Sequence, residues 1–484
     1  MSEEILINVT PPETRVAVVE NGVVQEIIIE RAERCGLVGN IYKGKICRVL
    51  PGMQAAFVDI GMERAAFLHA SDIVGGEGEP RSDHINDLVR EGDTIVVQVI
   101  KEPLGTKGAR LTTNISLASR YLVFMPSLGN TGVSQKIEDE EERKRLREIL
   151  QSHVDDNPGT GGYIARTAAE GIDAEIINRD MVFLAKLWRW IRERAETTSA
   201  IGLIHDELPL ALRALRDLVT PEVERVRIDS RATVERARPF AAKYIPEIGG
   251  RIDYYQGERP LFDLYGVEDE IQKALQRKVQ LKSGGHLIIE QTEAMTTIDV
   301  NTGAFVGHRN LEETIFKTNL EAAQAICRQL RLRNLGGIII VDFIDMTEEE
   351  HKRQVLRALE KCLARDHAKT HISEVSTLGL VEMTRKRTRE SLEHVLCQPC
   401  PYCCGRGSVK TAETVCFEIF REILREVRQF DVESLLVLAS QEVIDRLLDE
   451  ESGHLAELEA FVRKPVRLQV EALYTQEQYD VVLI

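Results

Sequence analysis

The stretch MTTIDVNTG (295–303) closes an apolar run on Asp299 and sets Asn301 two residues further on. In an extended strand those two side chains share a face. A second run, GGIIIVDFIDM (336–346), closes on Asp342, with Asp345 three residues later. If the two strands lie side by side, Asp299 and Asp342 present their carboxylates together. Two carboxylates with open positions around them suit Mg²⁺, which keeps most of its water and bonds substrate phosphate oxygens. A cation held there lowers the pKa of bound water and offsets charge growing on phosphorus. Asn301 is placed to orient Asp299. Strand-end aspartates also cap helices or open loops. Asp345, just ahead of a helix start near Glu348, suits that capping role better than catalysis.

A second concentration of chemistry is EHVLCQPCPYCCGRGSV (393–409), which holds Cys397, Cys400, Cys403 and Cys404. Outside this stretch the chain has no C-x-x-C. Three readings compete. An iron–sulfur site through Cys397, Cys400 and Cys403 lacks a suitable nearby fourth ligand. A self-contained zinc site drawing on Cys397, Cys404 or His394 meets the difficulty that adjacent cysteines do not readily face one small ion. The third reading is half a site, with Cys400 and Cys403 completed by the same pair from a second chain.

The elements that must carry these groups follow from periodicity. EILINV, TRVAVVENG and VVQEIIIE read as strands, with Asn21-Gly22 as a hairpin turn. From about 36 to 120 the alternation is all-β, with turns at Pro51-Gly52 and Gly61, as a small oligonucleotide-binding barrel requires. A glycine-rich break, VGGEGEPRSD, falls in its longest loop. EDEEERKRLREILQSH and FLAKLWRWIRERAET are amphipathic helices, and TGGYIARTAAEG between them is a strand running into a turn. DELPLALRALRDL is a further helix, followed up to about 275 by short strands. Residues 283–303 read as a β-hairpin, 311–332 as a long amphipathic helix, and 336–346 as a buried strand. That succession is a βαβ-like unit in a layered α/β domain. Helix and strand alternate again over 408–484.

With 484 residues, the chain is long enough for about three domains. It has no apolar run of 18 residues and no secretory signal at its start. Nine scattered or clustered cysteines, an odd number, fit a reducing cytoplasm better than a disulfide framework. A net charge of −16 argues against a protein coated in nucleic acid but leaves room for a local groove. CRQLRLR (327–333) and MTRKRTRE (383–390) are dense basic runs whose ordinary reading is a solvated helix face.

Taken together, NIYKGKICRVLPGMQAAFVDIG, TKGARLTTNISLASRYLVFMP, IARTA, TTIDVNTG, TNLEAAQAICRQLRLRNLGGIIIVDFIDM, LGLVEMTRKRTRESLEHVLC and CPYC resemble the ribonuclease E/G family of bacterial endoribonucleases. The resemblance covers essentially the whole chain. The sequence carries no long basic, proline-rich extension, so it resembles the short branch of the family. The implied fold is α+β and multidomain. It comprises an RNase H-like domain (1–35 and 211–274) interrupted by an S1 barrel (36–119) and a 5′-sensor region (120–210). A DNase I-like α/β catalytic domain (275–396), a zinc link (397–407) and a small dimerisation domain (408–484) follow.

The resemblance implies Mg²⁺-dependent hydrolysis of single-stranded, AU-rich RNA to 5′-phosphate and 3′-hydroxyl ends. It matches Asp299 and Asp342 to the metal-holding catalytic aspartates and Asn301 to their supporting asparagine. Phe57 and Phe67, which alone would read as core, match RNA-contacting aromatics of the barrel, and Lys107 matches a basic residue near the catalytic groove. Arg166, Thr167 and Val123 match a pocket for a 5′-monophosphate, in keeping with the fork geometry of guanidinium on phosphate. Two positions depart from the pattern: Ser119 replaces a glycine and Lys369 an arginine, which keeps the charge but loses the planar fork. Cys400 and Cys403 match a zinc link shared between two protomers, one structural Zn²⁺ per dimer, leaving Cys397 and Cys404 as bystanders. The basic runs would line the RNA groove. Expected substrates are the precursor of 16S rRNA, matured at its 5′ end, and decaying mRNA. Two other readings differ in function: a non-catalytic S1-type RNA-binding protein, and a short enzyme of the longer branch with a broader mRNA- and tRNA-processing role. A redox protein built on the C-x-x-C is disfavoured, since that motif belongs at a helix start in a thioredoxin-like unit.

Overall fold

The computed structural model describes residues 2–32, 36–74, 84–103, 108–157, 159, 161–220, 222–303, 311–366, 368–376, 378–387 and 389–484. Two compact units are present, Met1–Val395 and Leu396–Ile484.

In the first unit, strands Glu3–Val9, Glu13–Glu20 and Val23–Arg31 form a meander. Its second turn is made by Asn21 (φ 49°) and Gly22 (φ 77°), the left-handed pair a two-residue hairpin needs. Glu3–Val9 also pairs in parallel with Val223–Ile228, and Ile252–Tyr254 lies beyond it. The sheet is thus completed by chain more than 200 positions away, and everything between is inserted into it. The stretch after 218, expected to be short strands, contains the 14-residue helix Arg231–Tyr244. Pro239 within it reads as a breaker, but it sits on the exposed side together with Glu235, whose carbonyl loses its partner. Val234, Ala237 and Ala241 form the buried stripe, and Ser230 caps the start by accepting from the Thr233 N–H.

The insertion begins with the barrel. Ile41–Leu50, Ala55–Asp59, Ala66–His69, Arg110–Thr112 and Thr94–Lys101 pair in that order, and the last returns to the first through Ile41 and Gln98. Ile46, Val58, Leu68, Val97, Val99 and Leu111 fill the interior. A four-stranded sheet follows, in which Leu122–Met125 and Gly162–Ala165 are central, packed against helices Glu140–Asp156 and Ala174–Thr197.

The six-stranded sheet of 278–385 has the order Lys278–Gln280, His286–Gln291, Met295–Asn301, Gly337–Asp342, Leu380–Arg385 and Thr370–Val375. Helix Leu311–Leu332 connects the two parallel central strands, and helix Glu349–Leu363 lies beside it. Ile298, Val300, Ile339, Val341, Val381 and Met383 alternate onto the face these helices cover, burying Ala322, Ile326, Leu330, Val355 and Leu359 against it. The alternate residues face the other way, and among the described residues Asp299, Ile338 and Asp342 are exposed on that side.

In the second unit, Leu435–Ala439 lies between the parallel Val466–Val470 and the antiparallel Tyr479–Leu483. Helices Ala412–Gln429, Gln441–Leu448 and Ser452–Val462 cover the sheet. No helix among the described residues is long and apolar enough to cross a membrane.

Candidate active site and its RNA path

On the open face of the six-stranded sheet, Asp299 and Asp342 are directly paired across parallel strands in one unbroken register. Neighbouring strands run about 4.8 Å apart, so the two carboxylates are adjacent. Both residues are exposed. Asn301 Nδ2 donates to Asp299 Oδ2 at 2.8 Å, which fixes that carboxylate. Partial burial, then the charges of Asp299 and Asp345, raise the Asp342 pKa above its ordinary value. The end of the strand is tightly backed: Gly303 has φ +65°, and a Cβ there would stand 2.5 Å from the Gly284 carbonyl oxygen.

Asp345 does not do the capping work expected of it. Helix Glu349–Leu363 starts from Glu348 with no side-chain cap, and the Glu312 carboxylate takes the Thr347 and Glu348 N–H groups at 3.1 and 3.3 Å. Glu312 opens the neighbouring helix, so the cap arrives through tertiary packing. Asp345 remains exposed, close enough to Asp342 to raise its pKa.

The donor chemistry fits a hard divalent cation: two adjacent carboxylates, one oriented by an amide, with room for water and phosphate oxygens. Among the described residues no three His, Cys, Asp or Glu side chains converge on one point.

On the barrel, Phe57 and Phe67 are cross-strand partners and only half-buried, so neither is a core residue. Their rings meet edge to face at 6.1 Å, and His69 lies 6.4 Å beyond Phe67. Register continues the row on either side, Arg48 opposite Phe57 and Arg110 opposite Phe67. These two arginines flank the aromatic pair, and cross-strand register is invisible to sequence spacing. Arg110 is held by Asp72 at 2.8 Å. Lys107 lies outside the described residues.

Arg166 follows strand Gly162–Ala165 directly, where its N–H bonds the Tyr121 carbonyl. Its side chain donates to the Ser119 carbonyl at 2.6 Å and to Asp217 Oδ1 at 2.8 Å. Thr167 Oγ1 lies 3.2 Å from Ser134 Oγ, and Val123 is half-buried on the strand between Ala118 and Ile164. Lys369 is exposed in a loop whose Asp366 carbonyl accepts from Lys136 Nζ at 3.1 Å, so that loop abuts the 134–137 turn. Ser119 is buried: its hydroxyl bonds the Asp180 carboxylate and the Leu122 main chain. Burial pushes the Asp180 carboxyl up to about 6 despite those bonds. Burial would also raise Asp217, but the hydrogen bonds and charges of Arg216 and Arg166 outweigh it and hold this carboxyl below its ordinary value.

The two basic runs do not form a free groove. Arg328 bonds Glu270 and the Val24 carbonyl, Arg331 pairs with Glu20, and Arg389 pairs with Glu26. Arg385 is buried against Asp366, with its Nε 2.7 Å from Oδ2, and Arg387 donates to the Gly336 carbonyl. Most of this charge ties elements of the first unit together.

In the second unit Cys400 is exposed and Cys403 half-buried, in a tight turn where Cys404 (φ 50°), Gly405 (φ 84°) and Gly407 (φ 77°) are left-handed. The Gly407 N–H points at Cys403 Sγ at 3.4 Å. That bond, the Gly405 N–H and the Cys400 thiol lower the Cys403 pKa. A thiolate wrapped in amide donors is the form that binds zinc. The pair stands well ahead of helix Ala412–Gln429 and not in its first turn.

A sheet with paired carboxylates and a barrel bearing surface aromatics have the chemistry a nucleic-acid-processing protein uses. Comparison with known proteins gives the class. The Ribonuclease E/G family profile matches residues 116–388, an S1 RNA binding domain matches 38–114, and an RNase E/G thioredoxin-like domain matches 399–483. The chain is 58% identical to a protein named Ribonuclease G from Salmonella typhimurium (strain SL1344) and 57% identical to its namesake from Escherichia coli (strain K12), each over the full length of both chains. It is 40% identical to Ribonuclease E of the same E. coli strain, over 94% of this chain and 44% of the relative. The chain belongs to the ribonuclease E/G family, and it is an endoribonuclease, a hydrolase.

Proposed function

We propose that this protein cleaves single-stranded, AU-rich RNA with Mg²⁺ at Asp299 and Asp342, leaving 5′-phosphate and 3′-hydroxyl ends. The observation that carries the reading is the in-register pairing of these two aspartates, one of them bonded to Asn301. A divalent cation bound there supplies an activated water and offsets phosphate charge. Asp299 and Asp342 contribute the two ionised ligands, and Asn301 keeps one of them aimed. Phe57 and Phe67 stack bases irrespective of their identity, which holds the strand without reading it. Lys107 adds a cation on that path.

Arg166, Thr167, Val123 and Lys369 bind a 5′-monophosphate and so favour processed ends. Cys400 and Cys403 hold a structural Zn²⁺ with the same pair of a second protomer, which makes the working form at least a dimer. We assign 1–35 with 211–274 to an RNase H-like domain, 36–119 to the S1 barrel and 120–210 to the 5′ sensor. Residues 275–396 are assigned to a DNase I-like domain, 397–407 to the zinc link and 408–484 to dimerisation. We further assign it a cytoplasmic role in 16S rRNA 5′-end maturation and mRNA decay, which the family resemblance implies. The test is Mg²⁺-dependent cleavage of a 5′-monophosphorylated oligoribonucleotide by the parent and by Asp299→Asn. Equal rates would overturn the assignment.

A further inference from the structure

Arg166 is one end of a row of four alternating charges. Glu207 Oε1 accepts from Arg216 at 2.7 Å, Arg216 donates to Asp217 Oδ2 at 2.9 Å, and Asp217 Oδ1 accepts from Arg166 at 2.8 Å. The two arginines are held unequally. Arg216 is buried and keeps Glu207 as well as the Ala118 carbonyl whatever happens at Asp217. Among the described residues, the Arg166 side chain bonds Asp217 and the Ser119 carbonyl, and the Asp180 carboxylate lies close enough to interact with its charge. A guanidinium carries five N–H donors. Asp217 and Ser119 engage one on each terminal nitrogen, leaving three donors on a partly exposed side chain. Thr167 Oγ1 stands on the next residue, within reach of the Ser134 hydroxyl.

We propose that Asp217 is a positioning residue for the 5′-end pocket, holding the Arg166 guanidinium in the plane and direction in which its remaining donors meet a terminal phosphate. The inference rests on the 5′-monophosphate reading above. It does not follow from net charge, which points the opposite way. Removing a carboxylate beside Arg166 makes the pocket more positive, so charge alone would strengthen phosphate binding. Orientation and charge therefore make opposite predictions at one residue.

The experiment compares cleavage of matched RNAs carrying a 5′-monophosphate or a 5′-hydroxyl by the parent, Asp217→Ala, Asp217→Glu, Arg166→Gln and the Asp217→Ala/Arg166→Gln double variant. The ratio of kcat/KM on the two RNAs is internal to each preparation, so partial misfolding does not move it. Losing one charge-assisted hydrogen bond corresponds to about tenfold in binding, so Asp217→Ala should raise KM on the phosphorylated RNA about tenfold and lower the ratio accordingly. Asp217→Glu should restore part of the ratio. The double variant should lose no more than Arg166→Gln alone, because both changes act on one guanidinium. A ratio unchanged or increased in Asp217→Ala overturns the inference while leaving the pocket reading in place. A parent that does not distinguish the two RNAs overturns the pocket reading and the inference with it.

Discussion

Asp299 and Asp342 are direct partners on parallel strands, and the second feels the first: partial burial and then the Asp299 charge raise its pKa. Two like charges on one open sheet face cost stability unless a cation lies between them. Either Asp→Asn change should therefore leave the fold intact or firmer while lowering cleavage by roughly 10³-fold, the scale of removing a metal-held charge. RNA binding, measured on an uncleavable oligonucleotide, should change little. Asn301→Ala, which removes only the orienting bond, should cost about 10- to 100-fold. Parent rates in both aspartate variants would show the pair to be uninvolved.

The acid limb of the pH–rate profile should belong to Asp342. A carboxylate must be ionised to hold a cation, and a raised pKa means that protonation sets in at a higher pH than for an ordinary Asp. Activity should fall as pH drops through that raised value. Asp345 contributes to the shift without touching the paired positions. Asp345→Asn should move the acid limb to lower pH, with plateau activity kept within about threefold. A limb that stays put would remove Asp345 from the electrostatics of the site.

Parts of this site were legible in the sequence because their cause is local. Alternation in MTTIDVN and GIIIVD sets both strands and puts the aspartates on the uncovered face, and Asn301 follows from spacing alone. What escaped the sequence depends on partners far along the chain. Glu312 caps a helix 35 positions later or more, and Asp217 holds an arginine 51 positions earlier. The arginines of the basic runs find Glu20, Glu26 and Glu270 only after folding, so spacing alone suggested a solvated helix face and the resemblance a groove, where the structure has ion pairs. Helix Arg231–Tyr244 stands where short strands were expected, and Pro239 inside it lies on its exposed face.

Asp180 should make stability depend on pH in a predictable direction. Its folded pKa, about 6, lies above the ordinary 3.8. Protonation therefore favours the folded state: the stabilisation is complete below the unfolded pKa and is lost as pH rises through about 6. Between pH 7 and pH 5 the parent should gain about 1 kcal/mol relative to Asp180→Asn, measured by denaturant unfolding. A difference independent of pH would mean that Asp180 is ionised throughout.

Phe57 and Phe67 should act as one platform. Base stacking on an aromatic side chain contributes roughly 1–3 kcal/mol. Because the rings touch edge to face at 6.1 Å, removing either also loosens the other. Phe57→Ala and Phe67→Ala should each weaken binding of an uncleavable single strand by that amount, and the double variant by less than the sum. Strict additivity would show two independent contacts.

The cysteine turn makes the most distinctive prediction, because one ligand pair per chain ties metal content to assembly. Cys403 already has a lowered pKa from its amide donors, as a zinc thiolate requires, yet Cys400 and Cys403 supply only two of four tetrahedral positions. Purified protein should hold half a Zn²⁺ per chain and sediment as a dimer or larger. A strong chelator should release zinc and subunits together. Cys400→Ser or Cys403→Ser should do the same without chelator, whereas Cys397→Ser and Cys404→Ser should leave both metal content and mass unchanged. One zinc per chain in a stable monomer would place all four ligands within one protomer. That outcome would reassign Cys397, Cys404 or His394 from bystanders to ligands.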